Sequence, residues 1–218
     1  ASCILRFIVA KTAAVAGATD IPATSFAISG SNTTQETGTL ALDTVTTAPP
    51  VGSPSQGGKV ACTAPELMTP TTFYLVATVY ESTAVWGTRG VATGATSDTD
   101  GSSNTQTIVN TLGTSTIYAA NICSLLQLQS DGYSPCPTGG VCYEDWYLPA
   151  QNELNCLYSN QDAIGGFLAD FHWSSTESPS ATTTDAMATG FPGDGAFNSD
   201  SLDKNRVASL RCVRSVTN

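Results

Sequence analysis

Asp145-Trp146-Tyr147-Leu148-Pro149-Ala150-Gln151-Asn152-Glu153-Leu154 is the stretch that most constrains the fold. It reads as a short apolar strand running into a helix that ends near Tyr158. Pro149, with its fixed φ, suits the helix entry. Glu153 stands three residues past Ala150, the spacing of a capping box. Ala150 has no hydroxyl, so half of that box is missing, at a cost of about 1 kcal/mol. Glu153 still favours the helix N-terminus through the helix dipole.

Two further stretches follow it. Trp173-Ser174-Ser175-Thr176-Glu177 sets an aromatic ring beside three hydroxyls. Such a group either fills a core and ties down loop backbone, or stacks on a sugar and hydrogen-bonds it. Leu210-Arg211-Cys212-Val213-Arg214 reads as part of a last strand over 206–216, with Arg211 and Arg214 on opposite faces.

In this order the three stretches resemble the signature of the C-terminal domain family of bacterial collagen-like adhesins, a variant of the C-type-lectin-like fold. The resemblance covers about residues 57 to 216. It implies an α+β, C-type-lectin-like domain in an extracellular compartment, with surface attachment as the functional class. Family members usually carry Ser or Thr where this chain has Ala150. The resemblance also implies structural arginines, paired with Asp145 or Glu177, and a Cys123–Cys212 disulfide between the second helix and the last strand.

Composition sets the outer limits. The chain has 218 residues, enough for one large domain or one domain plus a small partner, and 12% of them are charged, about half the usual globular share. Its net charge is −10, with eight Lys plus Arg and no basic run. That argues against nucleic acid and against sulfated glycan as partners. No run of 18 apolar residues occurs, so no transmembrane segment is expected. Ala1 in place of Met reads as the mature end left by an export signal. Arg6, Lys11 and Asp20 interrupt the terminal apolar run too early for a type IV pilin, and Cys3 is not placed as a lipidated first residue would be.

Seven cysteines in an acidic, Thr-rich chain suggest an oxidising compartment. Cys136 and Cys142 flank a Pro-Thr-Gly-Gly turn and are expected to pair. The partners of Cys3, Cys62 and Cys156 stay open, and one of these three must be free or bonded to another copy.

The domain organisation follows from the punctuation. Cys3-Ile4-Leu5-Arg6-Phe7-Ile8-Val9-Ala10 is the most apolar short segment and reads as a strand. Cys3, Leu5, Phe7 and Val9 share one face, and Ile4 and Ile8 lie on the other. Such a strand belongs in its own sheet or in the sheet of a neighbouring subunit. Strands are also expected at 24–29 and 39–46. The Pro/Gly/Ser stretch over 48–58 reads as a linker. Residues 1–56 are thus expected to form a β-rich N-terminal extension, and 57–218 the main domain. In that domain, strands are expected near 59–63, 71–80, 171–176, 184–191 and 206–216. One helix is expected to be capped by Asn104, with Ile108, Val109 and Leu112 on one side and a break at Gly113. A second carries Ala119, Ala120, Ile122, Cys123 and Leu126.

The site inventory is thin. Tyr147, Trp173, Ser174 and Ser175 are the candidates for binding a neutral glycan. Asp98, Asp100 and Asn104, in a Gly-containing loop, have oxygens at a spacing that can hold calcium, the one cofactor considered. Asp194, Asn198, Asp200 and Asp203 form a second such loop. The Glu-Pro-Asn, Gln-Pro-Asp and Trp-Asn-Asp motifs of sugar-binding C-type lectins are absent. His172 is the sole histidine. A Cys156/His172 dyad is weaker than disulfide or core use of Cys156, so no catalytic residue is assigned. The expected function is a non-enzymatic, exported bacterial surface protein for adhesion or self-assembly, with copies of itself and a host or cell-surface glycan or protein as partners. The alternatives are a lectin-like glycan module and an enzyme of unknown chemistry.

Overall fold

The computed structural model describes residues 48–63, 73–136, 138–191 and 198–217, all within one compact unit that begins at Thr46. The strands expected at 3–10, 24–29 and 39–46 lie outside the described residues, and with them Cys3, Ile4, Leu5, Phe7, Ile8 and Val9. So does Asp194.

The stretch read as a linker is instead folded. Strand β1 (Pro54–Ser55) pairs antiparallel with β2 (Gly58–Cys62). Gln56 and Gly57 make the two-residue turn between them, both with positive φ, 42° and 87°. That is the backbone of a hairpin turn matched to strand twist. The Gly52 amide donates to the Val60 carbonyl at 2.8 Å, which extends the hairpin backwards. Pro, Gly and Ser serve a tight hairpin as readily as a linker, and composition alone does not separate the two.

Strand β2 pairs with β3 (Phe73–Ala77), and β3 pairs with β9 (Val213–Thr217), all antiparallel. The first sheet therefore has the order β1-β2-β3-β9. The second has the order β4-β8-β5-β6-β7, built from Ser82–Val85, Val207–Leu210, Phe171–Glu177, Asp185–Gly190 and Asn198–Asp203. Its β5–β8 pairing is parallel and the rest antiparallel. Four helices lie among the described residues: α1 (Gly101–Leu112), α2 (Ala119–Ser124), α3 (Gln151–Ser159) and α4 (Gln161–Ile164).

This architecture corrects the expected fold class. The described residues are β-rich, with nine strands in two sheets, 30% strand and 20% helix. It does not fit an α+β C-type-lectin-like domain well. The physical reason lies in how the apolar residues alternate. Along β3, Leu75 and Ala77 face one core cluster while Tyr74 and Val76 face another, so the first sheet is buried on both faces. Leu154 and Leu157 of α3 share the cluster of Leu75. Ile108 of α1, Ala119 and Ala120 of α2, and the three tryptophans Trp86, Trp146 and Trp173 belong to the other. Helices of four to twelve residues serve as covers to the sheets.

The expected last strand over 206–216 is two strands in different sheets. It breaks at Arg211-Cys212, between β8 and β9. Cys212 is bonded to Cys123 of α2 there, and the Thr78 amide donates to the Cys212 carbonyl at 2.9 Å. The first helix is likewise capped by Asp100, whose Oδ1 accepts from the Ser103 amide at 2.8 Å, and not by Asn104. Gly113 ends it as expected, with φ 75°.

Candidate functional site

The three motif stretches meet in one hydrogen-bonded interior. Glu153, on the first turn of α3, is 6% exposed. Its Oε2 accepts from the Ala150 amide at 2.8 Å and from the Gly101 amide at 3.2 Å, so one carboxylate serves the N-termini of two helices. Its Oε1 accepts from the Tyr147 hydroxyl at 3.0 Å, which also bonds Ser215 Oγ at 2.8 Å. Burial raises the Glu153 carboxyl to about 7, and burial with the nearby Glu153 charge pushes the Tyr147 phenol well up.

The hydroxyl missing at Ala150 is replaced from a distance. Thr176 Oγ1 of β5 accepts from the Gln151 amide at 3.1 Å and donates to the Ser97 carbonyl at 2.8 Å. The Asp98 carbonyl accepts from the Asn152 amide at 2.8 Å. Two orphan amides of α3 are thus met by tertiary contacts, a solution no local motif announces.

The structure places the candidate glycan residues in the interior. Trp173, Ser174 and Ser175 are fully buried and Tyr147 nearly so. Trp173 Nε1 donates to the Ala84 carbonyl at 3.1 Å, and Ser174 Oγ donates to the Met187 carbonyl at 2.9 Å. The Ser175 amide donates to the Pro149 carbonyl at 2.7 Å. Neither aromatic ring offers a face on which a sugar could stack.

The candidate calcium residues are not assembled as a ligand set. The Asp100 carboxylate caps α1, and Asp98 is exposed. Asn104 is buried, with Oδ1 accepting from the Ser97 amide and Nδ2 donating to the Ser97 carbonyl and to Ser175 Oγ. In the second loop, Asp200 accepts from the Ser201 amide and Asp203 pairs with Arg89 at 2.8 Å. Among the described residues no group of three His, Cys, Asp or Glu side chains is placed to hold a metal ion.

The arginines are both engaged. Arg214 forms a two-pronged pair with Asp145, at 2.6 and 3.0 Å, and also donates to Gln56 Oε1. Arg211 is fully buried. It donates to the Gly165, Gly166 and Val79 carbonyls at 2.8, 2.8 and 3.2 Å, and its guanidinium lies 3.9 Å from the centre of the Phe167 ring. Burial pulls it down to about 10. Its acidic neighbour is Glu81, 3.6 Å from Nε, which also bonds His172 Nε2 at 2.8 Å.

Cys156 is bonded to Cys62, which removes the thiol that a dyad with His172 would need. Cys136 is bonded to Cys142. The three disulfides fit an oxidising compartment.

Glu177 pairs with Lys204 and with neither motif arginine. Lys204 is fully buried, its Nζ 2.6 Å from Glu177 Oε1 and 4.4 Å from the centre of the Trp86 ring. The Thr93 and Gly94 amides also donate to Glu177. Burial pushes Glu177 up, but the Lys204 bond and these amides outweigh it, and its carboxyl sits below the usual range. Neither Glu81 nor Lys204 stands out in the sequence. Lys204 lies in Asp-Lys-Asn, which reads as a solvated turn.

A depression of about 390 Å³ lies outside this interior, between α1 and the Asp145-Trp146-Tyr147 segment. Ser102, Thr105, Gln106 and Asn110 give it neutral polar walls. Trp146, which also lines it, is 2% exposed.

No family model matches this chain, and no curated protein matches it.

Proposed function

We propose that the protein is an exported, non-enzymatic bacterial surface protein that assembles with copies of itself, for adhesion or as a subunit of an extracellular polymer. The observation that carries this reading is the use of the cysteines. Six of the seven are paired inside the β-rich unit. The seventh is Cys3, in the most apolar short segment of the chain. A thiol beside Ile4, Leu5, Phe7, Ile8 and Val9 is suited to bond its counterpart in a second chain once those side chains pack together. The motif resemblance to collagen-like adhesins points to a cell surface as the place where this happens.

Other features agree. Among the described residues no helix is long and apolar enough to cross a membrane. Glu153, Glu177, Glu81, His172, Lys204 and Arg211, the chemistry-bearing side chains of the interior, hold backbone and one another in place. Groups spent in this way brace a scaffold and do not converge on a substrate.

Non-reducing electrophoresis of the native protein, against Cys3→Ser, tests the reading. A cross-linked species that collapses on reduction and is missing from Cys3→Ser supports it. A purely monomeric wild-type band with one titratable thiol contradicts it.

A further inference from the structure

We propose that Tyr80 and Tyr133 form an oxidative cross-linking site, at which a haem peroxidase with hydrogen peroxide joins the two rings as a dityrosine within one chain. The site does not depend on self-assembly.

The distribution of tyrosines singles out this pair. The chain has seven. Tyr74, Tyr118, Tyr147 and Tyr158 are buried, and Tyr143 is half-buried. Tyr80 and Tyr133 are the exposed ones, at 57% and 55%. These same two meet. The Tyr80 hydroxyl donates to the Tyr133 hydroxyl at 2.8 Å, and the ring centres are 5.7 Å apart at 55°. The ortho carbons of a phenol flank the carbon that bears the oxygen. Hydroxyls in contact and ring centres only 5.7 Å apart set the two rings side by side and not pointing away from one another, so their ortho carbons are neighbours.

Both rings stand on held backbone. Tyr80 follows β3, where Thr78 Oγ1 donates to the Tyr80 carbonyl at 2.9 Å. Tyr133 sits in a closed turn. Its amide donates to Asp131 Oδ1 at 3.1 Å, and its carbonyl accepts from the Gln129 amide at 2.9 Å. Gly132, with φ 86°, lets this turn pack against the β1–β2 turn: a Cβ there would stand 3.1 Å from the Gly57 carbonyl oxygen and 3.4 Å from Val79 Cγ2. The pair is thus oriented before any oxidant arrives, which removes most of the ordering cost of joining two groups 53 residues apart. Their exposure leaves them open to a peroxidase, and the paired cysteines fit an oxidising compartment.

The chemistry balances. Each phenol gives one electron and its hydroxyl proton to the peroxidase. The two phenoxyl radicals join through their ortho carbons. The ortho hydrogens then move to the oxygens and both phenols are restored. Hydrogen peroxide takes up the two electrons and two protons and leaves as two waters.

The test treats the full chain with a haem peroxidase and hydrogen peroxide, and reads intact mass, dityrosine fluorescence and a peptide map. Tyr80→Phe and Tyr133→Phe, each of which removes one surface hydroxyl, are treated alongside. The expected product is a monomer lighter by two hydrogens, with Tyr80 and Tyr133 in one cross-linked peptide. Both variants should keep their starting monomer mass. An unchanged wild-type monomer, coupling only between chains, or a variant that cross-links like the wild type would overturn the proposal.

Discussion

Lys204 Nζ stands 2.6 Å from Glu177 Oε1, and both side chains are closed off from solvent. The ammonium also donates to the Val91 and Thr182 carbonyls at 2.8 and 2.6 Å. One cation thus ties the last residue of β5 to the loops before α1 and before β6. Lys204→Met would fill similar space and leave the Glu177 charge buried without its partner. Breaking a buried pair on one side costs about 3–5 kcal/mol. Chemical denaturation should show a loss of that order. A loss below about 1 kcal/mol, the range of an exposed pair, would mean that Lys204 reaches water.

Glu153 gives a pH dependence of the opposite sign to an ordinary paired carboxylate. Its folded value, about 7, lies above the usual 4.5. The folded state therefore holds the proton more tightly than the unfolded chain. This contribution to stability is full below about pH 4.5 and is lost as pH rises toward 7, by about 3 kcal/mol in all. Glu153→Gln copies the protonated form. Its oxygen can accept from the Ala150 and Gly101 amides, and its amide can donate to the Tyr147 hydroxyl, which then donates to Ser215. The stability difference between variant and wild type should grow in the variant's favour over this pH interval. A difference that stays flat with pH would show that the three donors hold Glu153 ionised throughout.

Gly101 is held to glycine by close approach. A Cβ there would stand 2.6 Å from the Ala150 nitrogen and from the Leu148 carbonyl oxygen, and would press on Glu153 Oε2. Two of these contacts are backbone and cannot swing away. Gly101→Ala should cost about 1–3 kcal/mol despite its better helix propensity. An unchanged or raised melting temperature would mean that the start of α1 can shift away from α3.

Local pattern carried some of this architecture into the sequence. The alternation along β3 can be read because both faces are apolar. Pro149 and Glu153 announce a helix entry because their roles are met within four residues. The resemblance implies Asp145 or Glu177 as partners of the two motif arginines. Arg214 does meet Asp145, 69 residues away, but Arg211 lies by Glu81 and Glu177 pairs with Lys204. What could not be read depends on distant partners. Lys204 looks solvated until Glu177, Val91 and Thr182 close around it. Thr176 looks like a loop hydroxyl until it caps α3 in place of Ala150. The strand expected over 206–216 shows no break in its residues, and changes sheet because Cys212 and Arg211 are fixed from elsewhere. Trp173 with its hydroxyls suits a sugar site or a core equally well in composition, and only burial decides.

Negative-stain microscopy of the full chain, beside a variant lacking residues 1–12, tests self-assembly most directly. The account predicts ordered polymers from the full chain. It predicts discrete folded particles from the variant, with Cys62–Cys156, Cys123–Cys212 and Cys136–Cys142 intact by peptide mapping. Discrete monomers from the full chain at high concentration, or polymers that persist without residues 1–12, would contradict it.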